Sequence, residues 1–109
     1  MLVRLMTGFL IRTKHWTEYL PDGFVKQVYL NTILGRIVSF SIVLINSHEC
    51  ISRYDTAHGY AHRDILGKKS ASPIDKVDYS MLEIDDAFRY GRQDLNKNYE
   101  KYYEYFKTH

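Results

Sequence analysis

Arg36-Ile-Val-Ser-Phe-Ser-Ile-Val-Leu-Ile45 is the stretch whose reading decides the fold. Side chains alternate between the two faces of a strand. Val38, Phe40, Ile42 and Leu44 fall on one parity, and Ile37, Val43 and Ile45 on the other. Both faces are therefore largely apolar, which is the mark of a strand in the middle of a sheet. Ser39 and Ser41 interrupt the run, which falls well short of the roughly 18 apolar residues that a membrane span requires. The chain is thus expected to stay off the membrane.

Turn chemistry extends the sheet in both directions. Asn46-Ser47-His48-Glu49 reverses the chain and Cys50 to Asp55 runs back. Thr56-Ala57-His58-Gly59 is a second reversal, followed by a short strand from Tyr60 to Leu66 and a polar loop from Gly67 to Asp78 that contains Pro73. Upstream, Pro21-Asp22-Gly23 reads as a turn, with proline presetting φ and glycine accepting a positive one. It predicts a hairpin from Trp16 to Leu30, preceded by a strand from Val3 to Arg12.

The period changes after Ser80. Ile84, Phe88, Gly91, Leu95, Tyr99, Tyr102 and Phe106 recur every three or four residues and form one apolar helical stripe. Ser80 and Glu83 have the spacing of a capping box at its start. Gly91 lies on the stripe at a cost in helix propensity, so a close approach to the sheet is expected there. The fold class is α+β: an antiparallel sheet of four to six strands with one long C-terminal helix packed on one face, in a single domain over residues 1–109.

Composition bounds the function. Fifteen Lys and Arg against thirteen Asp and Glu leave a net charge of +2 over 109 residues, too little to hold nucleic acid by bulk charge. A local basic cleft is still compatible with it. One cysteine, Cys50, neither staples the fold nor builds a cysteine metal site. With no secretory signal at the N-terminus, a cytoplasmic location is expected. Tyrosines at 90, 103 and 105 fall off the helical stripe and are available to a protein partner or a second copy of the chain.

Chemistry concentrates in Ser52-Arg-Tyr-Asp-Thr-Ala-His-Gly-Tyr-Ala-His-Arg-Asp64. Two antiparallel arms joined near His58 would bring Arg53, Tyr54 and Asp55 close to Tyr60, His62 and Arg63. The set suits cleavage of RNA without a metal or other cofactor. Histidine is the usual proton carrier near neutral pH, and arginine grips phosphate through paired hydrogen bonds. His58 and His62 would share the proton transfers, Arg53 and Arg63 would hold the phosphate, and Asp55 would orient a histidine. Tyr54 and Tyr60 can stack a base or donate a proton, and Lys68 and Lys69 can reach flanking phosphates. Two other readings use the same residues. Asp55, His58 and His62 supply a two-histidine, one-carboxylate metal set for a hydrolase. Alternatively the cluster is a rigid polar network in a non-catalytic interaction module. His62-Arg63-Asp64 matches the kinase catalytic tripeptide, but position 69 is Lys where that motif needs Asn, and there is no Gly-rich loop.

Through Arg53-Tyr-Asp-Thr-Ala-His-Gly-Tyr-Ala-His-Arg-Asp64 the chain resembles a group of small uncharacterised prokaryotic proteins. These pair a strand-rich front with a C-terminal helix. More distantly, at Arg53, Tyr54, Asp55, His58 and His62, it is similar to the TumE-type toxins of toxin–antitoxin modules. That resemblance implies a growth-inhibiting toxin acting on RNA and neutralised by a DNA-binding antitoxin.

Overall fold

The computed structural model describes residues 10–109 and, for the backbone alone, residues 2–4. Among the described residues, seven strands run in chain order across one antiparallel sheet: β1 (Leu2–Arg4), β2 (Leu10–Tyr19), β3 (Val25–Ile33), β4 (Arg36–Asn46), β5 (Glu49–Asp55), β6 (His62–Ile65) and β7 (Asp75–Asp78). The α-helix α1 (Ile84–Thr108) follows them. The α+β architecture with a long C-terminal helix is as expected. The sheet has one strand more than the expected four to six, because the short edge strand β7 is added. Arg4 pairs with Leu10, so the strand expected over Val3–Arg12 is two antiparallel strands, with part of that span outside the described residues. Asp75–Asp78, expected as loop, pairs with β6 as a charged edge strand.

The tight hairpins β2–β3, β3–β4 and β4–β5 are each closed by two residues in the left-handed region: Asp22-Gly23, Leu34-Gly35 and Ser47-His48. Such pairs match the right-handed twist of the strands they join. Pro21 therefore precedes the central pair of its turn and does not stand in it: Phe24 N–H donates to Pro21 O at 3.4 Å. Only the sequence Asp-Gly advertises this geometry. Leu34, Ser47 and His48 adopt it against their own preference.

Helix α1 covers one face of the sheet. Val28, Ile42 and Tyr54 are cross-strand neighbours on that face and are fully buried, as are Leu44 and Leu95. Phe88 packs edge-on against Phe40 and Trp16, and Phe24 against Tyr99 and Tyr103. The expected stripe is the buried face, with Ala87 added to it. Tyr103 joins the core and is not free for a partner. The expected capping box is absent. Glu83 is the N-cap without a side-chain bond, while Ser80 N–H donates to Asp78 Oδ1 at 2.7 Å. Asp85 and Asp86 in the first turn complement the positive helix end instead.

Two polar devices tie helix to sheet. Lys26 is 1% exposed, and its Nζ lies 2.9 Å from Glu18, which also takes hydrogen bonds from Arg92 and from Trp16 Nε1. Burial would raise the Glu18 carboxyl, but the three donors outweigh it and hold its pKa at about 2. Asp94 accepts from Tyr54 (2.6 Å), Tyr102 (2.7 Å) and Asn98 (2.7 Å). Among the described residues no helix is long and apolar enough to cross a membrane.

Candidate functional site

The opposite face of the sheet is left uncovered by the helix, and register decides what stands on it. Tyr29, Ser41, Asp55, His62 and Asp78 are successive cross-strand partners in β3 to β7. Arg53 pairs with Asp64, and Asp64 with Lys76. All of these share a parity, so a charged cluster assembles beyond the core on strands β5 to β7.

His62 is its centre. The ring is only 3% exposed, and its Nε2 lies 3.0 Å from Asp55 Oδ1 and 3.5 Å from Asp64 Oδ1. Its Nδ1 is 3.4 Å from the Tyr60 carbonyl. Arg53 closes the ring of charges: Nε and Nη2 donate to Asp64 Oδ2 at 2.9 and 2.5 Å, and Nε lies 3.3 Å from Asp55 Oδ2. The Asp64 bond, more than any other contact, pushes the Arg53 pKa up. Asp55 also accepts from Ala57 N–H at 3.1 Å, which fixes the start of the loop carrying His58. Gly59 at φ +83° allows that loop to turn back.

His58 is exposed and stacks on His62, with ring centroids 5.7 Å apart. Both imidazoles border one open hollow of about 470 Å³, whose wall also includes Arg53, Asp55, Asp64 and Lys76. Lys76 Nζ donates to Tyr60 Oη at 2.7 Å, and that bond raises the lysine pKa. Tyr60 stands beside His62, ring centroids 5.5 Å apart.

Of the residues singled out in the sequence, Arg53, Asp55, His58 and His62 meet here, with Tyr60 alongside. Tyr54 and Arg63 do not. They pair with each other across β5 and β6 and so face the helix. Tyr54 is buried, and burial, followed by its bond to Asp94, pushes its phenol pKa up. The Arg63 guanidinium lies 4.2 Å over the Tyr102 ring, with Nη1 3.4 Å from Ser52 Oγ and a buried Nε that lacks a partner. The expectation that the two arginines share a phosphate fails on strand parity: Arg53 and Arg63 occupy opposite faces. Lys68 and Lys69 also lie elsewhere. Lys68 N–H bonds Phe106 O near the helix end, and neither lysine lines the hollow.

The structure adds Asp64 and Lys76. Asp64 was legible as the residue two beyond His62 on the same face of a strand. Lys76 came from a segment read as loop. The convergent metal-ligand geometry also differs from the expected trio: Asp55, His62 and Asp64 offer donor atoms within 4.8 Å of one another, with Asp64 in place of His58.

The family model of a domain of unknown function, DUF7718, matches residues 11–109, and the chain belongs to that family. No curated protein and no solved structure matches it.

Proposed function

We propose that the hollow is an acid–base site for cleaving single-stranded RNA without a metal. The observation that carries this reading is the exposed His58 imidazole stacked on a clamped one, in an opening that two cations also reach. His62 has both ring nitrogens engaged, so it acts as a positioning residue beneath His58. Proton transfer then falls to His58. His58 takes the proton of a ribose 2′-hydroxyl, and the freed 2′-oxygen forms a bond to the adjacent phosphorus. The P–O5′ bond breaks, and the Lys76 ammonium protonates the departing 5′-oxygen. The products are a 2′,3′-cyclic phosphate and a 5′-hydroxyl, and one proton returns from His58 to Lys76 through solvent. Arg53, half-exposed at the rim, faces the phosphate. In this reading the protein is a cytoplasmic ribonuclease of the toxin type, restrained by a protein antitoxin.

The test is incubation of purified protein with unstructured RNA in excess chelator. The reading expects cleavage that falls about 10²- to 10⁴-fold in His58→Ala, with thermal stability unchanged because His58 is on the surface. Cleavage that is absent, or indifferent to His58, overturns it.

A second reading has its own observation in the Asp55–His62–Asp64 set. One imidazole and two carboxylates suit a divalent cation such as Mn²⁺. Arg53 now occupies oxygens of both carboxylates and would have to yield them. Calorimetric titration with Mn²⁺ separates the two: no heat with the wild type removes this reading, and heat lost in Asp64→Asn supports it.

A further inference from the structure

A second cavity of about 430 Å³ adjoins the hollow and shares Asp55 and Ala57 with it. Its lining includes Tyr29, Asn31, Ser39, Ser41 and Thr56. The cavity follows from the cross-strand row. His15, Tyr29, Ser41 and Asp55 are consecutive partners across β2 to β5. Two large rings and a carboxylate thus flank one small side chain. Neighbouring strands lie about 4.8 Å apart, so Ser41 leaves a gap about two strand spacings wide between Tyr29 and Asp55.

Both walls are fixed. Tyr29, 41% exposed, is backed by His15 in a nearly parallel stack, centroids 4.2 Å apart and planes 3° apart. His15 is itself held to Gln27 Oε1 at 2.8 Å. The far wall is anchored by Thr56, whose Oγ1 accepts from Phe40 N–H at 3.0 Å and whose N–H donates to Phe40 O at 3.2 Å. The floor carries the Ser39 and Ser41 hydroxyls and the Asn31 amide, which donates to Ser39 Oγ at 2.9 Å.

We propose that this slot takes one unstacked base of the RNA, lying against the open face of the Tyr29 ring, in the nucleotide next to the scissile phosphate. The inference rests on the ribonuclease reading and names the subsite that seats its substrate. Single-stranded RNA is the occupant because a rigid aromatic wall over polar groups is how sheet surfaces receive splayed bases. Continuity with the His58 hollow also puts the flanking phosphate beside the cations.

Binding is measured by fluorescence anisotropy with a labelled hexanucleotide whose 2′-oxygens are all methylated, so that it cannot be cleaved. Companion oligonucleotides carry one abasic residue at each position in turn. Tyr29→Ala weakens binding about ten- to a hundredfold, and Tyr29→Phe leaves it unchanged. One abasic position produces a similar loss with the wild type but little further loss with Tyr29→Ala. Ser41→Phe, which fills the slot, weakens binding to the same degree. Equal affinity of wild type and Tyr29→Ala, additive losses in the double test, or no RNA binding at all overturns the slot. Coupled losses in a protein that fails to cleave ordinary RNA keep the slot and discard the catalytic reading. Cleavage by a protein indifferent to Tyr29 and to abasic residues does the reverse.

Discussion

Replacing Gly91 by alanine sets two known effects against each other. In an exposed helix the change stabilises by about 1 kcal/mol, because glycine loses more backbone entropy on ordering. Here a Cβ at position 91 would lie 3.1 and 3.2 Å from Cγ and Cδ1 of Tyr54 and 3.3 Å from Cδ1 of Ile42. Those neighbours must recede by a few tenths of an ångström. The Tyr54 ring is pinned through its hydroxyl to Asp94 at 2.6 Å, and Ile42 is fully buried. Overpacking of a tight core costs about 1–3 kcal/mol. With a pinned ring the upper half of that range applies, about 2–3 kcal/mol, so Gly91→Ala destabilises by about 1–2 kcal/mol net. Urea denaturation should show a lower midpoint with an unchanged slope. Ile42→Val, which removes the contacting Cδ1, should cost less in the Gly91→Ala background than alone. A midpoint that rises with Gly91→Ala would refute the close-approach argument.

Three further outcomes follow from the framework. Glu18 is held below its unfolded value of about 4.5 at about 2, so its contribution is complete above pH 4.5 and disappears as pH falls toward 2; melting temperatures of wild type and Glu18→Gln should differ at pH 7 and converge near pH 2, and parallel curves would contradict this. Leu34 is exposed at φ +52°, and Leu34→Gly should raise stability by about 0.5–1 kcal/mol in chemical denaturation; a loss would show that the turn is not strained. Asp94→Ala removes the acceptor of three hydrogen bonds and should cost about 3 kcal/mol. Burial and Asp94 together push the Tyr54 and Tyr102 phenols up, so both should ionise at lower pH in that variant when followed by absorbance, and an unchanged titration would count against the network.

The strands and the helix were legible where one periodicity dominated. Arg36–Ile45 alternates on both faces and is the strand buried between β3 and β5. The stripe from Ile84 to Phe106 packs on the sheet as its spacing implies, with Gly91 close against Tyr54 and Ile42. Edges were less legible. Asp75–Asp78 has loop composition because an edge strand needs charges to stay single. The capping box failed because Asp78, two residues before Ser80, already holds the Ser80 N–H. At the site, proximity in sequence misled for Arg53 and Arg63. Both flank the same turn, yet antiparallel register puts them on opposite faces, and only the pairing of Arg53 with Asp64 and of Tyr54 with Arg63 reveals it. That pairing depends on the length of the loop from Thr56 to Ala61, which no local pattern specifies.

The most direct measurement is the chemistry of the ends left on RNA by the wild-type protein in chelator, read by ³¹P NMR of a dinucleotide substrate. The account requires a 2′,3′-cyclic phosphate and a 5′-hydroxyl, formed by wild type and lost in His58→Ala. A 5′-phosphate that appears only when Mn²⁺ is restored would contradict it, and would transfer the reaction to Asp55, His62 and Asp64.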